Sequence, residues 1–284
     1  MSVGIWTFAF EDKEIGVVRE AAQEIEELGF DTLWFGEYSG REAMTQAGLL
    51  LASTRTLKVA TGIARFDRRS PAAAAAAQRT LAEAYPGRFV LGLGGHLPGN
   101  RPLETVREYL DGLDAAELTI PVPAQRSPRV IAALGPRLLA LAAERADGAH
   151  PYFVPVEHTR QAREILGPDA YLAVEQAVVL EPDPELARTI AREHVGTYVR
   201  LAPHHRANLR RLGFTDDDLA DDDLADGGND RLVDALVASR GEQSVADRVR
   251  AQLDAGADHV CVQVLTAGTE VPLAEWRALA GLVG

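Results

Sequence analysis

The amino-acid sequence predicts an α/β chain whose strands close into a (β/α)8 barrel, a TIM barrel. Three observations carry that expectation. Short apolar runs rich in β-branched residues alternate with amphipathic stretches of Ala, Leu, Glu and Arg, the rhythm of βα units around a parallel sheet. These runs number eight, the count a closed barrel needs, in a chain of 284 residues, near the usual barrel length. The signature of the open doubly wound alternative, G-x-G-x-x-G after the first strand, is absent.

The first strand is expected at residues 3–8. A helix follows at 15–28, where Val18, Ala21, Ala22, Ile25 and Leu28 recur at helical spacing and Gly29 is placed as the C-cap. Strand two, 32–35, exits through Gly36-Glu37-Tyr38 to a helix at 41–52. Strand three is 57–63, and Pro71 opens a helix that runs through an alanine block to residue 84. Tyr85-Pro86-Gly87 turns the chain into strand four at 89–93, before helix four at 103–113. Strand five is 129–134, with Pro136 opening a helix that ends near 146. Strand six is 149–153, helix six 156–166 and strand seven 171–180. One long helical region is expected at 184–211, then an acidic loop and a segment at 230–239. A helix at 245–255 leads into strand eight, 259–265, and a last helix covers 273–282. No Pro-, Gly- or Ser-rich linker splits the chain. Residues 1–284 therefore read as one barrel domain with an insertion around 199–240.

Net charge is −13, and nine Asp against one Arg between Asp216 and Asp234 supply most of it. Such a chain repels nucleic-acid phosphates, and no basic stripe offsets this. The acidic run lacks the spacing of a calcium loop and reads as a solvated segment. The single cysteine, Cys261, excludes an internal disulfide framework and a cysteine-cluster metal site, and no metal is expected. No apolar run reaches the ~20 residues of a membrane span. No signal-peptide pattern opens the chain, and a cytoplasmic location is expected. The alanine-rich helix at 71–84 reads equally as a homodimer face and as a packed outer helix.

Active sites of such barrels lie at the C-terminal strand ends. That rule selects Trp6 and Phe8, Glu37 and Tyr38, Thr61 to Ile63 with Arg65, Arg68 and Arg69, then Gly94, Gly95 and His96. It continues with Gly135 to Arg137, His150 and Tyr152, and adds Glu175, Gln176 and Gln263 within their strands. Glu37, Tyr38 and His96 are the candidate proton-handling or orienting groups. Gly94 and Gly95 permit a planar ring to lie against the backbone, or simply loosen a loop. Leu134-Gly135-Pro136-Arg137 reads equally as an anion-binding helix N-terminus and as a plain turn. His158, His194, His204 and His205 fall in helices or loops placed away from the mouth.

Several pieces together resemble the luciferase-like monooxygenase superfamily, in particular its branch that uses the deazaflavin coenzyme F420. They are residues 26–34 (EELGFDTLW), 69–71 (RSP), 86–94 (PGRFVLGLG), 133–136 (ALGP) with 145–149 (RADGA), and 255–260 (AGADHV). Each is weakly specific alone; their order and spacing are what resemble the family. The resemblance implies a bacterial-luciferase-like barrel with a flat ring across its mouth. It implies support from a bulge at Gly62 and Ile63, often a non-prolyl cis peptide, and a phosphate turn at Gly135, Pro136 and Arg137. Gly94, Gly95 and Tyr152 would line the same opening. Several relatives carry an acid followed by His at the strand-two exit, where this chain has Glu37-Tyr38. The implied reaction is hydride transfer between F420 and a small organic substrate. An FMN-dependent monooxygenase on the same fold is the alternative, and a cofactor-binding barrel without turnover is another. A non-redox aldolase or isomerase barrel lacks its phosphate grip at Leu265-Thr266-Ala267-Gly268.

Overall fold

A computed structural model describes residues 2–95, 101–219 and 229–282. Eight parallel strands form a closed ring. They are β1 (Val3–Thr7), β2 (Thr32–Phe35), β3 (Lys58–Thr61), β5 (Phe89–Gly94), β6 (Arg129–Ile131), β7 (Gly148–Ala149), β8 (Tyr171–Val178) and β10 (His259–Val264). Closure is explicit in the register: β10 pairs with β1 through Val3↔Val260 and with β8 through His259↔Ala173. Two short strands lie off the ring. β4 (Ala64–Arg65) pairs with the end of β5, and β9 (Val237–Ala238) pairs with the end of β8.

The helices are α1 (Ile15–Glu27), α2 (Ala43–Ser53), α3 (Pro71–Ala84), α4 (Pro102–Asp114), α5 (Pro136–Arg145) and α6 (Val156–Leu166). After β8 come α7 (Pro184–Leu201), α8 (Pro203–Arg211) and α9 (Asp230–Leu236), then α10 (Gly241–Asp254) and α11 (Leu273–Leu279). Local chemistry sets their ends. Ser70 accepts from Ala73 N at 3.2 Å and Pro71 holds the first turn of α3. Gly29 takes φ 87° just past α1, the backbone a helix C-terminus demands. The stretch expected as one helix at 184–211 is two, because Pro203 pushes Ala202 out of helical geometry (φ −125°, ψ 84°). Strand six is shorter than expected, ending at Ala149.

Inside the ring, Trp6 and Trp34 pack with Ala60, Val90, Val130, Ala173 and Cys261. Two indoles need small neighbours, which the alanines supply. Each indole N–H donates to a buried histidine: Trp6 to His150 Nε2 and Trp34 to His259 Nε2, both at 3.1 Å. The Cys261 thiol faces the Val174 carbonyl at 3.3 Å. Between strands and helices lies the main apolar core, and a second cluster gathers α7, α8 and α9 against Phe153, Ala177 and Val179. Asp216 and Asp218 of the acidic run pair locally with Arg210 and Arg231, while residues 220–228 of that run lie outside the described residues.

Most family-like pieces build the end of the barrel opposite the mouth. Glu26 accepts from the N–H groups of Arg55, Thr56 and Leu57, which hold its carboxyl down at about 2 against the cost of its burial. Arg88 donates to the Leu51, Thr54 and Leu57 carbonyls. Asp147 and Asp258 accept from Arg129 N and Leu172 N, each at 2.7 Å. These contacts tie strand starts to their neighbours, a scaffold role. No described helix is long and apolar enough to cross a membrane.

Candidate active site

The exits of β2 and β3 are locked together. Gly62 N donates to Phe35 O at 2.7 Å and Glu37 N to Ile63 O at 3.1 Å. The Glu37 side chain has no exposure and is saturated: it accepts from Ala43 N (3.2 Å), Arg65 N (2.7 Å) and both terminal nitrogens of Arg69. This corrects the proton-handling role expected of Glu37. With both oxygens spent on a buried guanidinium and two backbone donors, it is a clamp joining the exit of β2 to α2, β4 and the turn before α3. Tyr38 is 65% exposed, its ring 6.4 Å from Phe8.

The peptide bond Gly62-Ile63 is cis, at the position where the resemblance implies one. A Cβ on Gly62 would lie 2.5 Å from Trp6 Nε1, and one on Gly94 2.5 Å from Ile63 Cδ1 and 2.7 Å from Ala132 Cβ. Both glycines are therefore required by close approach, Gly94 because Ile63 lies across it. Gly95 follows with φ 89°. His96 lies outside the described residues.

At the next strand end, Gly135 is the N-cap of α5 and Pro136 its first residue; a Cβ on Gly135 would meet nothing within 4 Å. Nothing in the protein itself calls for glycine here, and the helix N-terminus faces open space. Arg137 is exposed and has no ionic partner among the described residues. A second cation stands beside it that the sequence did not reveal: Arg211 of α8 donates to Leu134 O at 2.7 Å. His158 also binds Leu134 O (2.9 Å), and burial pushes it down to about 4, so it sits there neutral. β3, β5 and β6 are neighbours, which sets Gly62, Gly95 and Gly135 along one arc of the mouth.

The opposite arc is aromatic. Tyr152 packs on Trp6 at 5.0 Å and donates to Gln263 Oε1 at 2.8 Å. Phe153, at φ 57°, takes a conformation rare for a side-chain-bearing residue; its N–H is captured by Glu175 Oε2 at 2.9 Å. Burial pushes the Glu175 carboxyl up to about 8, and its Oε1 has no partner. Helix α7 lies over this arc. His194 and Tyr198, one turn apart, pack on Phe153 at 5.6 and 5.0 Å, and His205 joins them at 5.3 Å. This corrects the placement of His194 and His205 away from the mouth; the i,i+4 spacing of His194 and Tyr198 was the available signal. His150, by contrast, is a core residue. It stacks on Trp34 at 4.4 Å, and burial pushes it down to about 4. Between α7 and the exits of β1 and β10 opens a cleft of about 520 Å³ whose lining includes Phe8, Tyr198 and Gln263. It lies across the mouth from the glycine arc. No group of three or more His, Cys, Asp or Glu is placed to hold a metal among the described residues.

Residues 1–259 match the family of luciferase-like monooxygenases. The chain belongs to that family. Among curated proteins it is similar to a putative coenzyme F420-dependent oxidoreductase of Mycobacterium tuberculosis, 30% identical over 174 residues, 47% of this chain and 50% of that one. The chain thus spans about half the length of that relative. It is also similar to a 5,10-methylenetetrahydromethanopterin reductase of Archaeoglobus fulgidus, 29% identical over 230 residues, 68% of each. Solved luciferase-like folds agree with the barrel. The coenzyme F420-dependent tetrahydromethanopterin reductase of Methanopyrus kandleri superposes with a TM-score of 0.74 at 18% identity, covering 99% of this chain and 97% of that one. The FMN complex of the oxygenating constituent of 3,6-diketocamphane monooxygenase from Pseudomonas putida gives 0.71 at 16%, covering 99% and 96%. At such identities the likeness establishes the fold.

Proposed function

We propose that this protein is an oxidoreductase that transfers a hydride, reversibly, between the deazaflavin coenzyme F420 and a small organic substrate. One observation carries the reading. A single arc of the mouth joins the Gly62-Ile63 turn, with Ile63 laid over Gly94, to an open helix N-terminus flanked by Arg137 and Arg211. A flat ring with an anionic tail fits that arrangement: the turn offers a support without side-chain clash, and free helix N–H groups with two guanidiniums offer an anion site. When bound, the deazaflavin supplies two-electron hydride chemistry at a ring carbon.

The chain's own residues would do the rest. Gly135, Pro136, Arg137 and Arg211 would hold the tail, while Ile63, Gly94, Gly95 and Tyr152 would line the ring. The Trp6–His150 hydrogen bond fixes the indole under Gly62. Tyr198, Phe153 and α7 would limit water on the far side. The Tyr198 hydroxyl lines the cleft, and Glu175 holds its proton at neutral pH.

The name of the Mycobacterium tuberculosis relative supports F420 over FMN. Titration of the purified protein with each cofactor, followed by tryptophan fluorescence, tests the choice. F420 is expected to saturate the signal at micromolar concentration; saturation by FMN alone, with oxygen consumption on reduction, would replace this reading with a flavin monooxygenase.

A further inference from the structure

The cleft beneath α7 has a charge unlike the rest of the mouth. Four carboxylates, Glu11, Asp12, Glu193 and Glu270, lie in its lining, and no Arg or Lys does among the described residues. Lys13 offsets Asp12 at 3.4 Å; the other three have no cation in the lining. The Glu11 carboxylate also takes the Tyr38 and Gly40 N–H groups, which anchors its charge at the edge. Burial pushes the lining His194 down to about 4, so it adds no positive charge near neutrality. Across the mouth, Arg137 and Arg211 stand at α5.

At the floor lies Gln263, 7% exposed. Its Oε1 accepts from the Tyr152 hydroxyl, which leaves the amide N–H groups as the side chain's donors at the cleft that it lines. An amide donor on a side chain held at the bottom of an open pocket is a place for a ligand oxygen. The floor is also continuous with the ring support. Phe8 lines the cleft and packs on Trp6 at 4.4 Å, and Trp6 lies against Gly62. The volume suits a small molecule.

We infer that this cleft is the substrate pocket, that Gln263 binds a carbonyl or hydroxyl oxygen there, and that the acidic rim selects neutral or cationic molecules over carboxylates and phosphates. The inference rests on the reading of the mouth as an active site and adds the substrate class. Two opposite charge requirements then share one barrel end: an anionic tail at α5, and a substrate without negative charge under α7. The rim acts over several ångströms through water, so its effect is one of ranking and falls with salt.

Three ketones of similar shape test it: 4-(dimethylamino)cyclohexanone, cyclohexanone and 4-oxocyclohexanecarboxylate. Their binding to the full chain is measured by saturation-transfer NMR at low salt, with and without F420. The cation is expected to bind about tenfold tighter than the carboxylate, and 0.5 M NaCl to shrink the gap to about threefold. Glu193 and Glu270 are exposed, so Glu193→Gln with Glu270→Gln leaves the fold alone and should narrow the ranking about fivefold. Gln263→Leu should weaken all three probes about tenfold and leave their order unchanged. Equal or tighter binding of the carboxylate, no binding by any probe, or a ranking untouched by the double variant would overturn the inference. Failure of F420 to bind while the ranking holds would overturn the cofactor reading alone.

Discussion

The two arcs of the barrel mouth are held by opposite means. From β2 to β6 the exits are fixed by charge and by glycine: Glu37 against Arg69, Glu42 against the same guanidinium, Ile63 laid across Gly94. From β7 through β10 they are fixed by packed rings: Tyr152, Phe153, His194, Tyr198 and His205 lie against one another. In the first arc, backbone donors and Arg69 hold the Glu42 carboxyl down at about 2. The second keeps titratable groups neutral. One end of one barrel therefore answers to pH in two different ways.

Acid should separate the arcs most strongly. In the aromatic arc, burial pushes His194 down to about 4 and His205 to about 3, below the ordinary 6.5. The unfolded chain takes up these protons near pH 6.5, and the folded chain refuses them until about pH 4. Stability is thus lost as pH falls through that window, by up to ~1.4 kcal/mol per pH unit for each histidine. Hydrogen exchange is expected to show α7 and α8 opening before β2 and β3 as pH drops from 6.5 to 4.5. Uniform protection across the mouth would erase the contrast.

Glu37→Ala attacks the charged arc. It leaves Arg69 buried without its main partner, and urea unfolding is expected to show a loss of about 3–5 kcal/mol. Glu175→Gln probes the neutral arc from the other side. With a folded value of about 8 against an ordinary 4.5, Glu175 costs stability as pH rises from 4.5 to 8. The variant's Tm relative to the parent should therefore climb over that window, equivalent to up to about 4 kcal/mol by pH 8.

Smaller effects sharpen the anion site. Gly135→Asp places a carboxylate at the mouth of α5, where Asp is also a favourable N-cap. F420 affinity should fall more than tenfold with Tm unchanged. Arg211→Gln should lower the same affinity about threefold, less because the cation is exposed; an unaltered Kd would remove Arg211 from the site.

The eight-strand ring and most helix boundaries could be read from spacing and caps, because α1, α3 and α5 carry their periodicity, Ser70, Pro71 and Pro136 within a few residues. The division at Pro203 carried a readable signal too, and the long apolar pattern on both sides masked it. What could not be read is whatever depends on partners far along the chain. Glu37 meets Arg69, Arg211 meets Leu134, and Glu175 meets Phe153 only after the ring closes. Gly62, Gly94 and Gly135 were selected by their place at strand ends, and the close approaches at Gly62 and Gly94 supply the reason that place alone could not.

Cys261 gives the molecule an experimental handle. Its sulfur lies wholly inside the barrel wall, and burial pushes its thiol well up, so maleimide reagents have nothing to attack in the native chain. A cysteine introduced at Leu201, exposed at the end of α7, would be labelled alone. A single dye or spin label there would report, in real time, whether the helix over the cleft moves when a ligand arrives.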